Sequence, residues 1–435
     1  MTTQILIILA IMVAAYVAAK AARFSIELGM FAAALAGGLA GTVLKTPPFF
    51  DLGRHLVEGS FTYLDVILVF FTATLFMTIV NESGGVVYVV RAALRAFGTR
   101  RVPALLVLMV IVLIPGALTG AGSVSLLVVG APVAMALGRL GIPRKRVAAI
   151  LFIVAGLSAA APPVNIWAMI LCAGTAIPYV GFEFTLGIPV LILGAFTVLV
   201  LGWRKEFVAP AGAVELPEPP KGMTWWRVLA PFVIFFGLVI AYRIWPFATP
   251  IFGLTLEFVI ASAAALLLSP KRIAFLTLAR DTVKRLLPLL STLVVVGMLQ
   301  QVMTVTGVRG LLSFAVISTP LVLLFFLLPV IIPFSEGVLT YGAAAIIGIP
   351  LIWFLDSIGF HATVVIAGLS LLWPLGDGLP PTALIGRLSN MVSGYDGSYG
   401  DFLRATWLPW LVITAAGMAM IIFSSKLAFL VKWSM

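Results

Sequence analysis

The chain has 435 residues, of which 62% are hydrophobic and only 10% are charged, and its formal net charge is +11. Soluble domains contain about 45–50% apolar and about 25% charged residues, so this composition excludes an ordinary soluble enzyme. The single cysteine, Cys172, excludes an intrachain disulfide and a cysteine metal cluster.

Apolar runs long enough to cross a hydrocarbon core of about 30 Å as helices recur along the whole chain. A membrane β-barrel would instead show short alternating segments, so the sequence predicts an all-α integral membrane protein. The first run follows Met1-Thr2-Thr3-Gln4, which carries no basic residue, and we interpret it as a retained helix. About 10 transmembrane helices are predicted, near residues 3–19, 26–44, 62–81, 147–172, 184–203, 225–244, 250–268, 286–305, 361–385 and 404–425.

Two further apolar segments are predicted to be re-entrant helical hairpins. Segment 103–138 is interrupted by Thr119-Gly120-Ala121-Gly122-Ser123, and basic residues flank both of its ends. Because basic residues mark the cytoplasmic side, both ends lie there, and the tip lies at mid-membrane depth within protein or a cavity. Segment 320–357 is broken at Ser335-Glu336-Gly337, and its flanking Arg309 and Asp356 indicate ends on the outside.

An internal repeat relates the two hairpins. Pro115, Pro132 and the Pro162-Pro163 pair recur after 218 residues as Pro333, Pro350 and the Pro380-Pro381 pair. With the opposite sidedness of the hairpins, this pattern predicts discontinuous helices and an inverted structural repeat, which is typical of secondary transporters. The predicted parts are N-terminal helices (1–59), a first inverted repeat (60–205, hairpin 103–138, broken helix 147–172), a linker and connecting helices (206–283), and a second inverted repeat (284–435, hairpin 320–357, broken helix 361–385).

The charges indicate an orientation. If the N-terminus lies on the outer side of the membrane, all but six of the 27 Lys and Arg residues lie on the cytoplasmic side, as the positive-inside rule requires. The six residues on the outer side are Lys45, Arg54, Arg243, Arg309, Lys426 and Lys432. The positive charge therefore favours contact with anionic membrane lipids over nucleic acid. No Gly-x-x-x-x-Gly-Lys-Ser/Thr loop is present, so uphill transport would need an ion gradient or another subunit.

The hairpin tips and double prolines are the predicted ion- and substrate-binding site. Proline pairs leave carbonyl oxygens unpaired and half-helix ends facing each other, where carbonyls and hydroxyls can hold Na⁺ and helix N-termini can hold a carboxylate. The alternative is that the hydroxyls join helices and the glycines permit close packing. The candidates are Thr119, Gly120, Ser123, Ser125, Pro162, Pro163, Asn165, Ser335, Glu336, Gly337, Thr340, Asp377, Pro380, Pro381 and Thr382.

Glu336 and Asp377 are predicted to ligate a cation or carry a proton, since a charged acid at the bilayer centre costs about 2.5–3.5 kcal/mol. Either acid would instead be simply hydrated if it lies at the outer interface. Arg387 is a candidate partner for a substrate carboxylate, because guanidinium binds carboxylates through two parallel hydrogen bonds. The alternative for Arg387 is a cytoplasmic anchor.

These residues resemble a known family. The run from Ser123 to Met169 and the second-half set Phe334-Ser335-Glu336, Pro350, Gly359, Pro380-Pro381, Ser393-Gly394 and Leu408-Pro409-Trp410-Leu411 resemble the large membrane subunit of tripartite ATP-independent periplasmic (TRAP) transporters. The resemblance implies an elevator-type carrier of small organic acids in the bacterial inner membrane. It implies Na⁺ as coupling ion, no other cofactor and no catalytic residues. Its implied partners are a small four-helix membrane subunit and a periplasmic substrate-binding protein.

The sequence departs from the family at the site. The first tip lacks the usual run of hydroxyls, Leu379 precedes the second proline pair where threonine is common, and Asp377 adds an acid. These differences keep a second hypothesis open, a stand-alone carrier or cation/proton antiporter of the same superfamily that uses H⁺. A membrane-embedded enzyme is a third hypothesis, which the presence of only two histidines disfavours.

Overall fold

The computed structural model describes residues 2–43, 47–203, 217–245, 248, 250 and 252–434. Within these residues the regular structure is helical throughout, in agreement with the predicted all-α class. Lys45 and residues 204–216 of the predicted linker lie outside the described residues, as do the side chains of Arg243 and Lys432.

The helices of the first half follow one another with short connections. They are α1 (Thr2–Ala21), α2 (Ile26–Val43), α3 (Phe49–Ser60), α4 (Leu64–Glu82), α5 (Gly85–Phe97), α6 (Arg101–Thr119), α7 (Gly122–Ser125), a π-helical segment (Leu126–Gly130), α8 (Ala131–Arg139), α9 (Arg144–Ala160), α10 (Ile166–Thr175) and α11 (Phe182–Gly202).

The second half repeats this order with helices of similar length. They are α12 (Trp225–Ile244), α13 (Gly253–Leu268), α14 (Phe275–Val305), α15 (Val308–Ser318), α16 (Leu321–Leu339), a π-helical segment (Ala344–Gly348), α17 (Ile349–Ser357), α18 (Ala362–Gly376), α19 (Leu384–Ser393), α20 (Tyr399–Ile422) and α21 (Phe429–Ser434).

Ten helices in the described residues are long and apolar enough to cross a membrane. This number equals the predicted one, but the two sets differ. The ten observed helices include arms of both predicted hairpins, namely α6, the α7–α8 stretch and α16. They do not include the two interrupted helices, because the separate pieces of these helices are too short to cross a membrane alone; the pieces are α9, α10, α18 and α19. The fold is that of an all-α integral membrane protein.

Several local features recur at the same spacing of 218 residues. Both proline pairs, Pro162-Pro163 and Pro380-Pro381, have cis peptide bonds. The two π-helical segments begin at Leu126 and Ala344. Gly141 and Gly359 both have positive φ, +77° and +95°, in the turns that follow the hairpins. Glycine adopts this conformation without strain, which explains why both copies retain it.

The core lies around α9 and α18, the first pieces of the two interrupted helices. In α9 every residue from Val147 to Ala160 is buried, and in α18 every residue from Thr363 to Gly376 is buried. By contrast, α1 and α12 expose most of their apolar side chains, as lipid-facing helices do. Close packing against α18 depends on glycine, because a Cβ atom on Gly368 would lie 2.7 Å from the Gly417 carbonyl oxygen of α20.

Candidate functional site

The first hairpin tip is a sharp, buried turn between α6 and α7. Gly120 has φ of +70° and ends α6, while the Thr119 hydroxyl donates to the Pro115 carbonyl at 2.8 Å. Gly122 packs so closely on α9 that a Cβ atom there would overlap the Ala155 carbonyl oxygen. The small residues at this tip therefore allow the hairpin to reach the helix core.

The second hairpin tip has a strained threonine in the corresponding turn. Thr340 follows α16 with φ of +52° and ψ of −140°, a conformation that residues with a side chain rarely adopt. Its hydroxyl donates to the Leu339 carbonyl at 2.7 Å. The next residue, Tyr341, donates its hydroxyl to the Gly120 carbonyl of the first tip at 3.4 Å. The two tips therefore touch each other.

The first helix interruption is closed by Asn165. Its side-chain oxygen accepts from the Ala168 backbone N–H at 3.0 Å, and its side-chain NH₂ donates to the Ala160 carbonyl, also at 3.0 Å. Asn165 therefore caps the start of α10 and the end of α9 at once. The Tyr179 hydroxyl adds to this closure, since it accepts from the Asn165 backbone N–H and donates to the Pro163 carbonyl.

The second interruption is closed through the backbone instead, because the Gly386 N–H in the first turn of α19 donates to the Asp377 carbonyl at the end of α18 at 3.1 Å. The position 218 residues after Asn165 is Ala383, which has φ of +46°, and no side chain caps the start of α19. Arg387, one turn along α19, is exposed and donates to the Pro381 carbonyl at 3.0 Å. The positive end of α19 is therefore left without a side-chain oxygen acceptor, and a guanidinium lies beside it.

Each interruption is hydrogen-bonded to the hairpin of its own half. The Val164 backbone N–H donates to the Ala117 carbonyl at 3.0 Å. The Thr382 backbone N–H donates to the Gly337 carbonyl at 3.2 Å, and the Thr382 hydroxyl donates to the same oxygen at 2.9 Å. Each hairpin tip and its interrupted helix therefore form one packed unit.

A small cavity of about 10 Å³ lies where the two tips meet the second interruption. That volume has room for about one water molecule or one bare cation. The lining residues come from both tips, the second interruption and α14, and they are Gly122, Ser123, Leu289, Glu336, Thr340, Tyr341, Asp377, Leu384 and Ile385.

Two carboxyl groups share this cavity. Glu336 is 1% exposed and Asp377 is 6% exposed. Within the described part of the chain, the Oε2 atom of Glu336 and the indole N–H of Trp167 are buried without a hydrogen bond of normal geometry, and the two groups lie near each other. The Trp167 ring packs against Tyr341, with ring centroids 5.3 Å apart. Two acids with an unpaired oxygen in so small a space can hold a cation or share a proton.

The structure brings four of the predicted site residues to the cavity: Ser123, Glu336, Thr340 and Asp377. The other predicted hydroxyls do not line it. Ser125 donates to the Val112 carbonyl, and Ser335 donates to the Ile332 carbonyl. Asn165, Arg387, Gly120, Gly337 and the four prolines shape the tips and interruptions from outside the cavity.

Some residues in and beside the cavity were not selected from the sequence. Tyr341, which lines the cavity, directly follows the predicted tip residue Thr340. Trp167, which packs against Tyr341, lies two residues after Asn165. Proximity to the tips and interruptions was the sequence indication for both. Leu289 lies on α14, far from any motif. In the described residues, no three His, Cys, Asp or Glu side chains come together, so oxygen atoms of hydroxyls or carbonyls would complete any cation site here.

No protein-family model matches the chain, and no curated protein matches it. Among solved structures, the chain is similar to the YdaH transporter of Alcanivorax borkumensis, whose topology is described as unusual. The TM-score is 0.59 at 15% sequence identity, and the alignment covers 87% of this chain and 88% of that chain. At this identity the likeness concerns the fold alone, which is all-helical in the described part of this chain.

Proposed function

We propose that the chain is a secondary active transporter that moves small organic acids across a bacterial inner membrane, with a coupling cation bound between Glu336 and Asp377. The observation that supports this most is the cavity in which both carboxyl groups meet the two hairpin tips. The transporter-like fold also favours transport over catalysis. The TRAP-like order of tips and proline pairs supports the choice of organic acids as substrates.

The cation half of the proposal follows from the cost of buried charge. Two ionised carboxylates in a cavity of about 10 Å³ would repel each other and lose their hydration. A Na⁺ ion or a proton between them removes that cost, and the hydroxyls of Ser123 and Thr340 offer further oxygen atoms. Filling the site would therefore favour closure of the tips around it.

The substrate half rests on α19. Its N-terminus has no side-chain cap, and Arg387 lies one turn along the same helix. A carboxylate placed there would meet both the positive helix end and a guanidinium. Because Asp377 borders the cavity and Arg387 flanks the interruption, cation and substrate would bind on either side of the same proline pair.

The elevator mechanism and the partners belong to the same proposal. In chain order, each half contains α1, α2, α4, the α9–α10 pair and α11, or their counterparts, in addition to one hairpin. These five elements would each cross the membrane once, so the chain would end the first half on the side opposite to its start. The second half would therefore have the inverted orientation, as in inverted-repeat carriers. By resemblance to TRAP transporters, a small four-helix membrane subunit and a periplasmic binding protein would complete the system.

The test is uptake of radiolabelled organic acids into proteoliposomes, with an imposed Na⁺ gradient or an imposed pH gradient, and with or without the candidate partner subunits. Uptake driven by Na⁺ that needs a binding protein is the expected result. The variants Glu336→Gln and Asp377→Asn are expected to lose gradient-driven uptake. Glu257→Gln is the matched control, since Glu257 is a buried acid on α13, away from the cavity. Equal uptake by all three variants would contradict the assignment of the coupling site.

The second candidate is a carrier that works alone and uses H⁺. The carboxyl pair favours it, because two adjacent acids can share one proton without further ligands. Uptake that follows a pH gradient, needs no partner and is lost in Asp377→Asn would identify this alternative. Uptake that follows only Na⁺ would exclude it.

A further inference from the structure

Trp167 lies beside the small cavity between the two tips, although it belongs to the first half of the chain. It is the second residue of α10, directly after the helix start that Asn165 caps. The preceding residue packs on the first tip, since a Cβ atom on Gly120 would lie 3.1 Å from the Ile166 backbone nitrogen. The Trp167 side chain is fully buried, and its ring packs against Tyr341 of the second tip. The start of α10 therefore places one indole beside both tips.

Trp167 and Glu336 carry complementary polar groups. An indole can only donate, through its single N–H, and an ionised carboxylate can only accept. In the part of the chain that the structure describes, the Trp167 N–H and the Glu336 Oε2 atom are both buried without a hydrogen bond of normal geometry, and they lie near each other. A buried polar group without a partner destabilises the protein, and a charged one does so more strongly. A small rotation of the carboxyl group would pair the two.

The indole approaches Glu336 from outside the cavity. Glu336 and Asp377 are among the residues that line the cavity, whereas the Trp167 ring lies behind Tyr341. A hydrogen bond to Oε2 from that side would leave the other carboxylate oxygen, Oε1, for the cavity, which has room for about one bare cation. Carboxylates that ligate metal ions are commonly held in this way by a hydrogen bond from outside the ligand shell.

We propose that Trp167 is the positioning residue of the cation site, donating its indole N–H to Oε2 of Glu336 and turning Oε1 towards the cavity. This role rests on the proposed function, in which a cation binds between Glu336 and Asp377. An uncharged donor suits the role, because it stabilises an ionised carboxylate without neutralising the charge that attracts the cation. A lysine or arginine in the same place would compete with the cation for Glu336.

The first measurement detects the hydrogen bond itself. Ultraviolet resonance Raman spectroscopy reports whether an indole N–H is hydrogen-bonded, and it uses the purified full chain in detergent and Na⁺-containing buffer. Subtracting the spectrum of Trp167→Phe isolates the Trp167 band, both in wild type and in Glu336→Leu, which lacks the acceptor. We expect a hydrogen-bonded band in wild type and a free band in Glu336→Leu. The same band position in both would overturn the contact.

The second measurement is the dissociation constant for radioactive Na⁺, determined by scintillation proximity. Benzothienylalanine at position 167 replaces the indole N–H with sulfur and keeps the shape of the ring. The same replacement at position 373 is the matched control, because Trp373 is also fully buried and its N–H has no partner in the described residues, but its ring packs against Gly348. We expect binding about tenfold weaker for the change at 167 and within about twofold of wild type for the change at 373.

The outcomes separate the role of Trp167 from the proposed function. Equal dissociation constants for wild type and the chain changed at position 167 would overturn the positioning role. Equal weakening by both replacements would reveal a packing effect and would also overturn it. A wild type that binds no Na⁺ would contradict the proposed coupling ion, and the Raman band would still decide whether Trp167 donates to Glu336.

Discussion

Replacing Asn165 with alanine tests whether this residue holds the first interruption together. The change removes the cap of α10, which costs about 1 kcal/mol in other helices. It also leaves the buried Ala160 carbonyl without its hydrogen-bond donor, which costs about 1–3 kcal/mol more. We therefore expect a loss of about 2–4 kcal/mol of stability.

For a chain of 435 residues, that loss corresponds to a fall in Tm of about 2–4 °C. The assay is intrinsic-fluorescence melting of the purified protein in detergent, without substrate or added Na⁺. Asn390→Ala is the control, because the side-chain oxygen of Asn390 is buried without a hydrogen-bond partner among the described residues. We expect this variant to melt within about 1 °C of wild type.

Asn165→Asp separates the two hydrogen bonds, since the aspartate can still accept from Ala168 but cannot donate to Ala160. A melting temperature between those of wild type and Asn165→Ala is expected. If Asn165→Ala melts like wild type and instead loses cation binding, Asn165 would be a ligand and the assignment of both amide atoms to the backbone would be wrong.

Three further predictions concern the tips. Gly122→Ala should abolish uptake and lower Tm, because the added carbon overlaps the Ala155 carbonyl, whereas Gly138→Ala, with open space around its Cβ position, should do neither. Thr340→Gly should raise the stability of the substrate-free protein by about 1 kcal/mol by relieving the positive φ, as measured by melting; an unchanged or lower Tm would contradict the strain. Glu336→Gln, which is expected to lose gradient-driven uptake, should also lose the pH dependence of substrate exchange measured without a gradient, while the purified protein stays monodisperse in detergent; an unaltered pH profile of exchange would place the titrating group elsewhere.

Much of the helical framework could be predicted from the sequence. Apolar runs and the recurring prolines and glycines predicted the interruptions near Pro162 and Pro380, because proline and glycine act on the local backbone. The amphipathic helices α3, α5 and α15 and the π-helical segments were not predicted. Their form depends on packing against neighbours, and no single residue type specifies it.

The candidate site was predicted only in part. Glu336 and Asp377 could be selected because an acid in an apolar run is costly wherever it lies. Whether a hydroxyl faces a cavity could not be predicted in this way. Ser123 and Thr340 line the cavity, whereas Ser125 and Ser335 turn towards carbonyls of the hairpin arms, and all four occur in similar apolar surroundings.

The hydrogen bond from Tyr341 to the Gly120 carbonyl has a consequence for motion. It joins a side chain of the second half to the backbone of the first, at the point where both hairpins turn. Neither tip can withdraw from the cavity without breaking this bond or drawing the other tip along. In the proposed transporter, where each tip would close one face of the membrane, this bond would keep the two tips from opening at the same time.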